Sequence, residues 1–177
     1  MRKSEIHSER LRITPFTERH LNKHYVSWLN DPDLMIFSEQ RHKSHTLETC
    51  REYLRSFEAG PNYFWAVLNK ESGAHIGTMT AYVDEPNKVA DVGILIGDRD
   101  SRGKGFAVEA CRVVVGFLLR EAGLRKVTMG CLEVNKPMIG VMKSLNAKPD
   151  GTRRRQVLWR GQEVDVVHGA FFSDFSF

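Results

Sequence analysis

The chain has 177 residues and only three cysteines, Cys50, Cys111 and Cys131, which stand far apart and form no Cys-x-x-Cys pair. That excludes a disulfide-built scaffold and a cysteine-based zinc site, and it matches the usage of reduced, cytoplasmic proteins. Long apolar runs are also missing. The longest, Val113 to Leu119 with Gly116 inside it, is seven residues, against the ~20 that a membrane helix requires. Met1 to Arg12 carries charges throughout with no apolar stretch before a small-residue cleavage site, so no signal peptide and no membrane partner are expected. There is no internal repeat and no Pro/Gly/Ser linker, and residues 1–177 are expected to form one domain. Charge of one sign is scarcely in excess: 26 Lys and Arg against 22 Asp and Glu leave +4. A nucleic-acid surface would need a denser basic stripe, whereas a mild excess suits an anionic ligand. An apolar content of 41% supplies a core without metal or disulfide staples.

What is present reads as a series of closely spaced elements. Leu11 to Thr14 is a short apolar/basic alternation. Thr17 serves as the N-cap of a helix reaching about Asn30, with Phe16 stapled onto Leu21 and a stripe of Leu21, Tyr25, Trp28 and Leu29. Asp31-Pro32 stops it. A second helix starts near Thr46, buries Leu47, Cys50, Leu54 and Phe57, and ends at Gly60-Pro61. The apolar period then changes from 3.6 to 2. Tyr63 to Leu68, Ile76 to Val83 and Val89 to Ile96, joined by short turns, make an antiparallel meander. A long amphipathic helix from Lys104 to about Ala122 follows, burying Ala107, Ala110, Cys111, Val114, Phe117 and Leu118. The strand Val127 to Leu132 comes after it and runs parallel to Val89–Ile96, because a helical crossover of this length permits that and a hairpin does not. A fourth helix, Lys136 to Asn146, leads to two closing strands, about Arg154 to Trp159 and Glu163 to Phe171, joined at Arg160-Gly161. The fold class is α/β in the α+β sense: a mixed, mostly antiparallel sheet of six or seven strands flanked by four helices.

The chemically informative stretch is Val92-Gly-Ile-Leu-Ile-Gly-Asp-Arg-Asp-Ser-Arg-Gly-Lys-Gly-Phe-Ala107, a buried strand, a short loop with two glycines, and then the long helix. Gly103 and Gly105 let the backbone turn with its N–H groups inward. The helix amino end adds about half a positive charge, and Arg102 and Lys104 add full ones. A pyrophosphate suits this place. Gly93, in the middle of an apolar strand, marks a bulge or the close approach of a ligand. A P-loop is disfavoured because five residues separate Gly97 from Gly103 and Gly105 stands where a hydroxyl would hold magnesium. A dinucleotide fold would want a third glycine at Val108, although Glu133 at the end of the next strand imitates the ribose acid.

With these residues the chain resembles the GNAT superfamily of N-acetyltransferases, in the branch of ribosomal-protein amino-terminal and amino-sugar-nucleotide acetyltransferases. The likeness spans nearly the whole chain. It includes Leu11-Arg-Ile-Thr-Pro-Phe16, Tyr25-Val-Ser-Trp-Leu-Asn-Asp31, His75-Ile-Gly-Thr78, the loop with Glu109-Ala110 after it, and Asn135. The resemblance implies acetyl-coenzyme A as donor. Ile94 and Ile96 would then be backbone partners of the pantetheine arm, and Arg102, Gly103, Lys104, Gly105, Phe106 and Ala107 the pyrophosphate cradle. Asn135 would serve as helix cap and cofactor contact together, with Lys143 as a further phosphate contact. Trp28 and Tyr82 are the substrate-side candidates.

The chain departs from the pattern in three places. Asp100 stands where Gln or Arg usually opens the loop, so Arg99 or Arg102 would have to compensate. Met138 and Met142 occupy the two customary positions of the general acid, and neither can donate a proton. The loss is bearable because a thiol of pKa ~8.5 is a good leaving group, whereas an attacking amine of pKa ~10 must first lose a proton. Asp91 is read as the base, in alternation with Gly93 and Leu95, with N–H groups freed by a bulge near Gly93 polarising the acetyl carbonyl. The alternative for Asp91 is a solvated strand end, with Glu133 and Asp84 in reserve.

The expected activity is acetyl transfer to a primary amine by direct attack in a ternary complex. The acceptor is read as a nucleotide-linked amino sugar, with a protein amino terminus as the alternative and a non-catalytic acyl-coenzyme A binder as the reading from another class. A cytoplasmic protein, with a homodimer allowed, completes the expectation. His20 and His24 are read as solvated surface without a third ligand, and no metal is expected. His42 and His45 are placed in a polar loop, and His75 and His168 are read as satisfied, partly buried imidazoles. Cys131 is read as core, since no Ser or Cys has nucleophile-elbow surroundings. Arg153-Arg154-Arg155 is read as a solvated strand edge.

Overall fold

Residues 5–174 are described by a computed structural model; residues 1–4 of the charged amino-terminal stretch lie outside them. The three apolar runs become strands β3 (Tyr63–Asn69), β4 (His75–Asp84) and β5 (Val89–Ile96), paired antiparallel in sequence order. Ahead of them come β1 (Ile6–His7) and β2 (Leu11–Pro15), and behind them β6 (Lys126–Leu132), β7 (Lys148–Trp159) and β8 (Gln162–Phe172). The order across the sheet is β1-β2-β3-β4-β5-β6-β8-β7, with β5 and β6 the parallel pair. The sheet thus has eight strands rather than six or seven. The extra one is β1, two residues long and too short to show a period.

Four α-helices flank the sheet: α1 (Lys23–Leu29), α2 (Leu47–Arg55), α3 (Phe106–Arg120) and α4 (Lys136–Ser144). The first differs from the sequence reading. Thr17 opens only a 3-10 turn, Glu18–His20, and α1 begins afresh at Asn22, whose side chain accepts the Tyr25 N–H at 2.9 Å. Two capping residues five positions apart divide what periodicity alone reads as one helix. In α2, Cys50 and Leu54 are buried as expected, whereas Leu47 is exposed in the first turn.

Strand alternation sends side chains to two cores. On one face Trp65, Val67, Met79, Ala81 and Val92 pack with Ala110, Cys111, Val114 and Leu118 of α3. On the other, Phe64, Ala66 and Leu68 meet Phe16, Tyr25, Trp28, Cys50 and Leu54 from the α1 and α2 side. Each fully buried Leu or Phe contributes about 1.5–3 kcal/mol.

The second core encloses two imidazoles. His20, 5% exposed and not the surface residue expected, lies 5.3 Å from the ring of His75, and Phe16, Tyr25 and Trp28 surround the pair. The Thr17 N–H donates to His20 Nδ1 (2.9 Å), and His75 Nε2 meets the Gly77 carbonyl (2.9 Å). Burial holds both rings down at about 4, and each is further depressed by a neighbouring basic group, His75 for His20 and His24 for His75. Unfolded, such rings take up a proton near 6.5, so their stabilising effect is complete above that pH and is lost as pH falls towards 4. The urea midpoint is therefore expected to drop steeply between about pH 6.5 and 4.5, by about 3 kcal/mol or more in unfolding free energy. His75→Gln should flatten the slope. A midpoint unchanged across this range would contradict the assignment.

Candidate active site

Strands β5 and β6 pair at only three positions, Val89, Ala90 and Asp91 against Lys126, Val127 and Thr128. Beyond them the strands part, and a cavity of about 1350 Å³ runs through the sheet. Gly93, Ile94 and Ile96 line it from β5, and Gly130 and Cys131 from β6. The expected bulge at Gly93 is absent: β4 and β5 keep one-to-one register through Thr80 and Gly93. Backbone groups are freed here because β6 leaves, not because β5 buckles. A side chain at Gly93 would place its Cβ 3.0 Å from Thr80 Oγ1 and project towards the cavity that Gly93 lines.

At one mouth stand the glycine turn and α3. Gly103 (φ 73°) and Gly105 (φ 81°) both adopt left-handed backbone, and Gly105 caps α3 without any side-chain bond. The helix amino end therefore has its first N–H groups available to an anion. Gly103, Gly105, Phe106 and Ala107 line the cavity, together with Asn135 and Met138 of the α4 end. Asn135 is the N-cap of α4, its Oδ1 accepting the Met138 N–H at 3.1 Å. Lys104 and Lys143 are exposed and outside the lining. Arg102 lines the cavity, but its guanidinium turns back to the carbonyls of Ile96 (3.2 Å) and Gly97 (2.6 Å). Asp100 is exposed and does not line the cavity, so its charge stands off the turn.

A cation that sequence reading missed sits beside the turn. Arg10 donates from Nε to Glu109 (2.7 Å), reaches the Lys104 carbonyl (3.0 Å) and lies over the Phe106 ring at 4.5 Å. Glu109 also accepts from Ser8 Oγ and the Arg10 N–H, both at 2.7 Å. Burial alone would raise the Glu109 carboxyl, but these hydrogen bonds and the Arg10 charge outweigh it and hold the carboxyl below its usual range. Nearly a hundred residues separate the partners, so no local spacing could reveal the pair.

The other mouth is built from residues 33–45, between α1 and α2. Trp159 Nε1 donates to the Ile36 carbonyl (2.9 Å), Phe37 stacks on the Trp159 indole, and Arg41 reaches the Leu158 carbonyl (3.1 Å). Asn30 holds His45 by both backbone groups, at 2.8 and 2.9 Å. His45 lines the cavity with its Nε2 buried and unpartnered, unlike the solvated loop residue expected. Leu29, Leu34, Met35, Ile36, Phe37 and Phe64 give this half an apolar wall, and Asp33, Ser38, Gln40, Lys43 and Ser44 add polar groups to its lining.

Of the remaining candidates, only Cys131 lines this cavity. Trp28 is buried at 4% exposure and lies against Gly97, where a Cβ would come within 2.0 Å of its indole. Tyr82 is exposed, and its hydroxyl meets that of Tyr53, a lining residue, at 2.6 Å. Asp91 lies on the sheet face shared by Gly93, in a second, polar cavity of about 590 Å³. Solvent reaches it there, yet the walls of the recess raise its carboxyl. The Thr128 hydroxyl, which donates to it at 2.8 Å, opposes that rise, as do His168 and Arg153. Met142 is core, and Cys131 is both core and cavity wall, its thiol pushed up to about 11 by burial. The arginine run lies exposed on the edge strand β7, as expected, with Arg154 and Arg155 ion-paired at the surface to Asp165 and Glu163. Among the described residues, no group of His, Cys, Asp and Glu is arranged to hold a metal, and no helix is long and apolar enough to cross a membrane.

A mixed sheet parted at the parallel β5–β6 junction, with a glycine turn and an uncapped helix end at the opening, suits an extended ligand that carries an anionic group, and comparison with known proteins names the family. Residues 10–148 match the family model of the acetyltransferase (GNAT) domain. The chain belongs to the GNAT acetyltransferase family, and it is an acyltransferase. It is 26% identical to the N-acetyltransferase p20 of Bacillus licheniformis, over 88% of this chain and 74% of that protein. Among solved structures, RimL, a ribosomal L7/L12 α-N-protein acetyltransferase in complex with coenzyme A, superposes with a TM-score of 0.85 at 16% identity, covering 96% of this chain and 98% of that one. An acetyltransferase of the GNAT family from Bacillus anthracis gives a TM-score of 0.83 at 18% identity, covering 97% and 100%.

The contact between Trp28 and Gly97 generates a test of how the loop is positioned. Gly97→Ala must move either the indole or the end of β5. Thermal unfolding should show a loss of about 1–3 kcal/mol. An unchanged melting temperature would mean that Trp28 does not brace the loop.

Proposed function

We propose that this protein transfers an acetyl group from acetyl-coenzyme A to a primary amine, by direct attack within a ternary complex. The observation that carries the reading is the through-going cavity. One mouth suits a diphosphate, at the left-handed glycine turn and the uncapped end of α3, and the middle runs along the unpaired edge of β5, where pantetheine amides would find backbone partners. The thioester would then lie near Gly93, where a carbonyl oxygen developing charge meets backbone donors. Gly103, Gly105, Phe106, Ala107, Ile94, Ile96 and Asn135 are the cofactor residues in this reading, with Arg10 bracing the turn. Asp91 acts as base from the adjoining recess.

Two acceptors come into question, a nucleotide-linked amino sugar and a protein amino terminus. A sugar nucleotide brings two phosphate charges, and Lys43 is the cation in the acceptor-half lining that would meet them. The apolar walls from Leu29 to Phe37 suit the first side chains of a peptide better. RimL and the ribosomal-protein-S5-alanine acetyltransferase of Vibrio fischeri, both similar in fold, have names that agree with a peptide.

The direct experiment incubates the protein with acetyl-coenzyme A and either short peptides with free amino termini or glucosamine-linked nucleotides, following thiol release. Turnover on peptides is expected, and turnover confined to the sugar nucleotide would reverse the choice of acceptor. Gly103→Asp should abolish coenzyme A binding by calorimetry, because it adds a negative charge and a Cβ at positive φ; full binding would remove the cradle. Asp91→Asn should lower kcat by about 10²-fold or more. An unchanged rate would dismiss Asp91 as base.

A further inference from the structure

His168 departs most sharply from its expected role. It pairs with Gly130 across β6 and β8, and its ring covers that glycine: a Cβ at Gly130 would lie 2.7 Å from Nδ1 and 2.8 Å from Cε1. Gly130 lines the main cavity, and His168 lines the polar cavity with Asp91, Thr128 and Arg153. The imidazole therefore stands in the wall between the two. Its Nε2 is buried and has no hydrogen-bond partner. A buried polar nitrogen left unpaired is destabilising, and it is expected where a ligand, a water or a proton completes the group during function.

We propose that the polar cavity is the outlet for the proton that the acceptor ammonium must lose, and that His168 relays this proton from the main cavity to Asp91 and solvent. The inference rests on the amine-acetylation reading above. The balance requires such an outlet: R–NH3⁺ and acetyl–S–CoA give R–NH–CO–CH3, HS–CoA and one H⁺. The first N–H proton leaves through the outlet. The freed lone pair forms the C–N bond, the C–S bond breaks with its electron pair on sulfur, and the second N–H proton ends on the thiolate. Beside Leu34, Met35, Ile36 and Phe37 the main cavity offers the departing proton little hydration, whereas Asp91, Thr128, Asp150, Thr152, Arg153 and His168 line the neighbouring cavity.

The charged and titratable groups around the ring come from every strand beside it. Asp91 faces it from β5. Lys126 of β6 is engaged by Asp150 of β7 at 2.7 Å, and Arg153 faces it from β7. Thr128 donates to Asp91 Oδ2, which fixes the carboxylate beside the path. A proton arriving on the ring is drawn onward to that carboxylate, while Arg153 keeps the recess from holding it.

The test reads kcat/KM against pH with a peptide acceptor, whose α-amino group has a pKa of about 7.7–8.0. Below that pH the enzyme must remove the proton; well above it the amine arrives neutral. His168→Gln retains a polar side chain but cannot carry a proton. It should lower kcat/KM about tenfold to a hundredfold near pH 6.5 and approach the wild-type rate above about pH 9, with acetyl-coenzyme A affinity unchanged. A pH profile parallel to wild type would overturn the inference, as would an alkaline restoration seen in His45→Gln instead. If His168→Gln does not fold, Gly130→Ala displaces the ring by one methyl group and should reproduce the restoration; a parallel profile there overturns it equally. A wild-type protein that acetylates no amine at any pH removes the acetylation reading itself, and this inference with it. An active wild type with an indifferent His168 removes the inference alone.

Discussion

Everything that suits this molecule to its chemistry depends on two parallel strands that pair for three residues and then stop. Unmade backbone hydrogen bonds cost about 1 kcal/mol or more each when they are shielded from water, so a gap in the middle of a sheet closes unless something holds it apart. Several contacts do so here. α3 and α4 pack against one side, the His168 ring lies over Gly130 on the other, and Trp28 fills the space beside Gly97 where β5 ends. The helices and aromatic side chains keep a backbone edge available, and that edge is what an extended amide-bearing ligand pairs with.

The two ends of the gap differ in kind. Towards α3 the site is made of backbone: glycines at positive φ, a helix terminus, and a distant ion pair of Arg10 with Glu109 that braces the turn without filling it. Towards α1 and α2 it is made of side chains carried by a loop. In the proposed reading the first end would recognise a shape and charge common to every turnover, and the second would carry the discrimination among amines. A polar recess adjoins the point where they meet. In the proposed reading the amine would lose its proton where these two cavities adjoin.

Much of this was legible in the residues. The meander, the crossover and the parallel pair follow from a change of period and the length of a helix, and the glycine turn from two glycines at a helix start. What escaped has a common cause. Arg10 meets Glu109, Trp159 meets Ile36, and His168 covers Gly130, each pair joined only by the fold. Spacing along the chain carries no trace of such contacts. His20 misled for a related reason, since polar neighbours in sequence imply solvent, and only the packing of Phe16, Tyr25 and Trp28 around it shows otherwise. The bulge expected at Gly93 was a local answer to a non-local event, the departure of β6. Arg102 of the glycine motif carries the charge that its position implies, but its geometry commits that charge to two carbonyls.

The bond from Trp159 to Ile36 joins the tip of the last hairpin to the segment that walls the acceptor mouth, together with the Phe37 stack and the reach of Arg41 to Leu158. That segment is thus clasped by the tip of the β7–β8 hairpin as well as tied at its base through Asn30. Lengthening or shortening the β7–β8 hairpin by a residue pair would tilt this wall while leaving the glycine turn, α3 and the β5 edge where they are. If the acceptor enters at this wall, as proposed, donor recognition and acceptor choice are mechanically separable: a change at the β7–β8 hairpin would retune which amines enter while the glycine turn stays as it is.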